Sequence, residues 1–228
     1  MKVPWLPKEQ IEMKAREVIS AYEDKSGRKA APPVPVEGII ELGLGLRLAF
    51  EDLKAKLRID DVLGATYVPA RKICADISLD RPEAEGRLCF TLAHEAGHWV
   101  MHREFVYSAD RSGGSIFCRT RDAKKPIEWQ ADCFASCLLM PEWYVREAFS
   151  RVCGPKPLIL YNVESAYAGP ICFDPCVANW PAIADCVRRA GKFSNVSKQA
   201  MIIRLQDLGL VRNETDTPMV WGKSVAAA

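Results

Sequence analysis

The sequence predicts an α+β fold: a small antiparallel or mixed sheet packed on a helical core, followed by a small C-terminal helical module. Three observations lead there. Period-two alternation of apolar residues marks strand candidates between residues 44 and 79. An uninterrupted helical pattern then covers 82–102, and a second begins at Pro126. Beyond residue 154 the chain breaks into short helical stretches punctuated by proline and glycine.

Composition bounds what such a fold can do. At 228 residues the chain suits one good-sized domain plus a small appendage. The break Cys153-Gly154-Pro155-Lys156-Pro157 divides it into residues 1–153 and 154–228. With 49% hydrophobic and 26% charged residues, the chain can bury an ordinary core. A net charge of +2 is too near neutral for a surface that coats nucleic acid. No apolar run approaches the roughly 18 residues of a membrane span. There are nine cysteines, irregularly spaced, and MKVPWLPKEQ has no apolar signal core, so a reduced, cytoplasmic protein is expected. Cys172 and Cys176 have no companion pair at zinc-finger spacing and read as incidental thiols.

Taken in order, residues 8–26 place Ile11, Ala15, Val18, Ile19 and Tyr22 on one helical face, with Gly27 as the stop. RKAAPPVP is a stiff connector, and Val36–Leu42 reads as a short helix. Leu44, Leu46, Leu48 and Phe50 alternate as in a strand. Val62–Val68 and Lys72–Leu79 are two more strands around the turn Pro69-Ala70-Arg71. Residues 103–125 read as a polar loop, with a short strand at Phe105–Tyr107 or Ser115–Arg119. Pro126 opens one helix and Pro141 the next, which runs to about Val152. Residues 155–180 show no clear period. Pro181–Ala190 is a helix ended by Gly191. Ser197 caps another, and places Lys198, Gln199 and Arg204 on its outer face near Arg188, Arg189 and Lys192. This pair resembles a helix-turn-helix. The mixed basic cluster and near-neutral charge favour a role in docking a protein or bracing the core, so nucleic-acid binding is not expected.

The chemistry is concentrated in Arg87–His102, RLCFTLAHEAGHWVMH, which contains His94-Glu95-Ala96-Gly97-His98. Residues four apart share a helix face, so His94 and His98 can offer two imidazoles to one metal ion. Glu95 lies about 100° round the helix, where a carboxylate flanks the metal and accepts a proton from a water that the metal acidifies. The alternative is a buried amphipathic helix whose histidines are only hydrogen-bonded. The apolar neighbours Leu92, Ala93, Ala96, Trp99, Val100 and Met101 argue against it, because burying this polar set without a partner is costly. His102 has rotated about 80° away from His94 and reads as a supporting residue rather than a ligand. The best candidate for a third ligand is Glu128 in PIEWQADCFA. Asp132, one turn on, is placed to orient a ligand imidazole, and Ala131 and Ala135 would let this helix approach the first. Such a Glu/Asp pair is otherwise a common solvated face.

FTLAHEAGHWVMHR followed by IEWQADCFASCLLMP resembles the ImmA/IrrE family of zinc metallopeptidases. The resemblance is tight over 87–141 and loose over most of 3–150. It implies that His94, His98 and Glu128 hold Zn2+, that Glu95 is the general base, and that the protein cuts or inactivates a helix-turn-helix transcriptional repressor. The expectation is therefore a zinc-dependent endopeptidase acting in a regulatory switch. Its donor to the tetrahedral oxyanion is open among His102, Tyr67, Tyr107 and Tyr144. The rival is a non-catalytic, metal- or redox-responsive regulator that binds DNA or a protein. An intact Glu95 speaks against that rival, since a structural site needs no base.

Overall fold

A computed structural model of the chain describes residues 3–109, 115–119, 126–160, 176 and 178–215. It divides into two compact units, Met1–Leu139 and Met140–Ala228. The division falls before the helix opened by Pro141, whereas the sequence break at Cys153 lies at that helix's end.

The first unit begins with helix α1 (Lys8–Ser26), which buries Ile11, Ala15, Val18, Ile19 and Tyr22 as its periodicity requires. Gly27 closes it at φ 66°. One turn of helix, α2 (Val36–Gly38), widens into a π turn at Ile39–Gly43. The first strand starts later than the alternation suggests. Leu44 still belongs to the end of that turn and Gly45 reverses the chain at φ 65°, so β1 is Arg47–Glu51. Helix α3 (Leu53–Leu57) follows, five residues capped by the Asp52 carboxylate accepting from the Ala55 amide. Strands β2 (Val62–Tyr67) and β3 (Lys72–Asp76) form the expected hairpin. β3 ends three residues short of Leu79, because the Asp76 carboxylate accepts from the Ser78 amide and turns the chain into a 3-10 turn at Ile77–Leu79.

Helix α4 (Glu85–Ala109) carries the HExxH sequence and continues through residues 105–107, where a strand was one of two expectations. The other placement holds: β4 is Ser115–Arg119. Helix α5 (Pro126–Leu139) completes the unit.

The sheet order is β1-β3-β2-β4, with β1 parallel to β3 and the other pairs antiparallel. It is the small mixed sheet of an α+β fold. Register separates its faces: Ala65 pairs with Cys74, and both pack with Leu53 of α3. Thr66 pairs with Ile73 on the opposite face, where Thr66 meets Glu95 of α4. Helix α4 also packs on α5, which packs on α1. The motif helix is thus covered by the sheet and by α5.

The second unit contains α6 (Glu142–Cys153), α7 (Trp180–Ala190) and α8 (Lys198–Asp207). The Ser197 hydroxyl accepts from the Ala200 amide to cap α8, as expected. Strands β5 (Leu158–Leu160) and β6 (Val211–Asn213) add a parallel pair that was not expected. Three-residue strands are too short to show a period. Arg204 departs from the expected outer face: it is 3% exposed and donates to the Met140 carbonyl. Arg188 and Arg189 both pair with Asp185, whose single carboxylate offsets one of their two charges. Among the described residues no helix is long and apolar enough to cross a membrane.

Candidate metal centre and active site

Two consecutive turns of α4 present His94 and His98, and the first turn of α5 presents Glu128 to them. All three side chains are buried. His94 Nε2 stands 2.9 Å from His98 Nε2 and 3.2 Å from Glu128 Oε2. The same carboxylate oxygen lies 3.6 Å from His98 Nε2. Behind His94, its Nδ1 stands 2.8 Å from Asp132 Oδ1. A carboxylate oxygen accepts, so Nδ1 carries the hydrogen and Nε2 keeps its lone pair.

This donor set fits a metal ion. Burial pushes the His98 imidazole down to about 4, which keeps it neutral at physiological pH. Burial alone would raise the Glu128 carboxyl, but a proton on the facing His94 or His98 ring, when one is present, outweighs it and holds the group near 2, so the carboxyl is ionised. A carboxylate and a bare imidazole nitrogen, 3.2 Å apart in a dry pocket, repel one another unless a cation joins them. Ligand atoms around a tetrahedral zinc stand about 3.3 Å apart, close to the spacings seen. His94, His98 and Glu128 are the one His/Cys/Asp/Glu group among the described residues with metal-binding geometry.

Glu95 points to the sheet side of α4. It is fully buried, and the Thr66 hydroxyl on β2 lies 2.6 Å from Glu95 Oε2 and 3.1 Å from the Glu95 carbonyl. The close approach depends on Gly64. A Cβ there would lie 2.7 Å from Glu95 Oε1 and 2.8 Å from Glu95 Cγ and Thr91 Cγ2. Gly64→Ala is therefore expected to destabilise the protein by about 1–3 kcal/mol, measured by denaturant unfolding. An alanine variant as stable as wild type would contradict this contact.

On its other side α4 uses Gly97 in the same way: a Cβ there would meet Phe134 at 3.1 Å and the Ala131 Cα at 3.3 Å. The small residues of α5 let the helices close, as their spacing implied.

The remaining sequence candidates separate clearly. His102 sits behind His98, with its Nδ1 3.0 Å from His98 Nδ1 and its Nε2 3.2 Å from Gln130 Oε1. It is a neighbour of the His-His-Glu group, on the side of His98 away from Glu128. Tyr67 packs against the Leu53–Ala65–Cys74 cluster, on the face of the sheet opposite Thr66. Tyr144 belongs to the second unit, where it lies against Trp143. The Tyr107 side chain lies outside the described residues. Thr66, Gly64 and Gln130 were not singled out from the sequence. A glycine inside a strand is a signal for close backbone approach, and would have found Gly64. No spacing rule points to Thr66 or Gln130.

Residues 75–152 match the model of the IrrE N-terminal-like domain, peptidase family M78. Over these residues, about a third of its length, the chain is similar to that peptidase family. No curated protein matches the chain. The matched stretch contains β3 from its penultimate residue, all of α4 and α5, and most of α6. It therefore includes each of His94, Glu95, His98, Glu128 and Asp132. A peptidase family and a buried His-His-Glu group agree on metal-dependent proteolysis as the class of chemistry.

Proposed function

We propose that this protein is a zinc-dependent endopeptidase, with the peptidase machinery in residues 1–153 and a supporting or recognition module in 154–228. The observation that carries the reading is the convergence of His94 Nε2, His98 Nε2 and Glu128 Oε2 in a buried pocket, beside an intact Glu95. His94, His98 and Glu128 would hold Zn2+, and Asp132 orients His94. A bound zinc would polarise the scissile carbonyl and acidify an attacking water. Glu95 takes the proton from that water and returns it to the leaving amine, and Thr66 anchors the base through one carboxylate oxygen. The proposed substrate is a cytoplasmic helix-turn-helix repressor, and the setting a regulatory switch. Both follow from the family resemblance. The rival reading is a regulator that binds without cutting.

The test is incubation of the zinc-loaded protein with the product of the neighbouring open reading frame, the candidate repressor, followed by mass spectrometry of the products. A discrete pair of fragments, absent when the zinc is chelated, is the expected outcome. A repressor that is bound but intact with zinc present would overturn the endopeptidase reading in favour of the rival.

A further inference from the structure

The two histidines of the cluster are held from behind in different ways. His94 leans on a carboxylate, the 45% exposed side chain of Asp132. His98 is fully buried and leans on another imidazole, His102, 1% exposed. Two imidazole nitrogens 3.0 Å apart share one hydrogen, and the geometry alone does not say which ring owns it. Gln130 decides. Its Nε2 lies 3.0 Å from the carbonyl of Pro4, which accepts, so the amide nitrogen faces Pro4 and the amide oxygen faces His102 Nε2 at 3.2 Å. His102 must then carry its hydrogen on Nε2, leaving Nδ1 as an acceptor. The hydrogen between the rings consequently belongs to His98 Nδ1, and His98 Nε2 presents its lone pair to Glu128 and His94.

We propose that Pro4, Gln130 and His102 form a buried relay that fixes the tautomer of His98 and thereby sets the affinity of the metal centre. The inference rests on the metal-site reading above. Burial makes the relay strict, since Gln130 and His98 are wholly buried and each proton has one place to go. In the opposite tautomer His102 Nδ1–H would face His98. His98 would accept there, and its own hydrogen would move to Nε2, the atom aimed at Glu128. The ring would change from ligand to donor. The segment at the start of this chain of bonds is fixed by stacking: Trp5 lies on Trp129, with ring centroids 4.5 Å apart, one residue on either side of the Pro4–Gln130 bond. Pro4, Gln130 and His102 touch no reacting atom and act as positioning residues.

The chain has three histidines, all in this cluster, so side-chain 15N NMR of the zinc-free 228-residue chain resolves every imidazole. The expected pattern has a hydrogen on Nδ1 of His94 and of His98 and on Nε2 of His102, whether or not the zinc-free pocket holds a further proton between the two Nε2 atoms and Glu128. A hydrogen on Nδ1 of His102 would overturn the relay. Zinc affinity, measured by chelator competition, supplies the second readout. His102→Leu and Gln130→Leu are expected to weaken binding roughly 10- to 100-fold. His102→Asn, whose amide oxygen occupies about the place of Nδ1, should remain within about threefold of wild type. Equal affinities for the Leu and Asn variants at position 102 would show that His102 only fills space. If a leucine variant does not fold, the tautomer pattern of the wild type still decides. A wild-type protein that takes up no zinc defeats the metal-site reading, whereas the zinc-free NMR pattern tests the relay by itself.

Discussion

Changing Glu95 to glutamine is expected to cut the rate of substrate cleavage by about two orders of magnitude or more while zinc content stays at the wild-type level. Glutamine preserves the size of the side chain and can still meet the Thr66 hydroxyl, now through its amide oxygen, so the contact between α4 and β2 survives. What it loses is the ability to accept a proton at neutral pH. The residue is fully buried, so bulk water offers no substitute base next to it. The measurement is single-turnover cleavage of the repressor by wild type and variant at equal zinc content. Equal rates would remove Glu95 from the mechanism. Equal repression relief without cleavage by either protein would identify the activity as binding.

Zinc content itself should respond most to Glu128. In Glu128→Ala the pocket keeps two neutral imidazoles and loses its carboxylate, leaving a divalent cation buried without a first-sphere negative charge. Metal analysis of the purified protein is expected to fall from about one zinc per chain to a small fraction of that. The accompanying signature is thermal. Wild type should lose melting temperature on chelation, because a ligand that binds the native state stabilises it in proportion to the logarithm of its excess over Kd. Glu128→Ala should melt at one temperature with or without the chelator. Full occupancy in this variant would mean that the third ligand lies elsewhere.

How much of this was legible in the sequence follows the range of each signal. The helices that carry chemistry announce themselves, because His94 with His98, and Glu128 with Asp132, are related by a single helical turn. Their convergence was legible in part: Ala131 and Ala135 on the face of Glu128 allow α5 to approach α4, and the likeness to the family singled out Glu128 as the partner of the histidines. Strands of five or six residues were found on either side of the turn Pro69-Ala70-Arg71, at Val62–Tyr67 and Lys72–Asp76. Their ends were misplaced where a side chain cut the period short, as Asp76 does. Helix α3 and the β5–β6 pair are too short to have a period at all. Arg204 shows the converse failure, since charge suggested an outer face while the Met140 carbonyl offered a partner inside. Thr66 and Gln130 matter because of what stands opposite them across the fold, and that information is not local.

The Pro4–Gln130 hydrogen bond spans 126 positions, and α1 takes its cover from the same helix, α5. Ribosomes extend chains at about 5–20 residues per second, so α1 waits on the order of ten seconds for its partner to be made. During that interval Ile11, Ala15, Val18 and Ile19 have nothing from α5 to lie against. Native cover of that stripe is therefore completed only once α5 has been made, although the turn at Ile39–Gly43 can pack on α1 well before then.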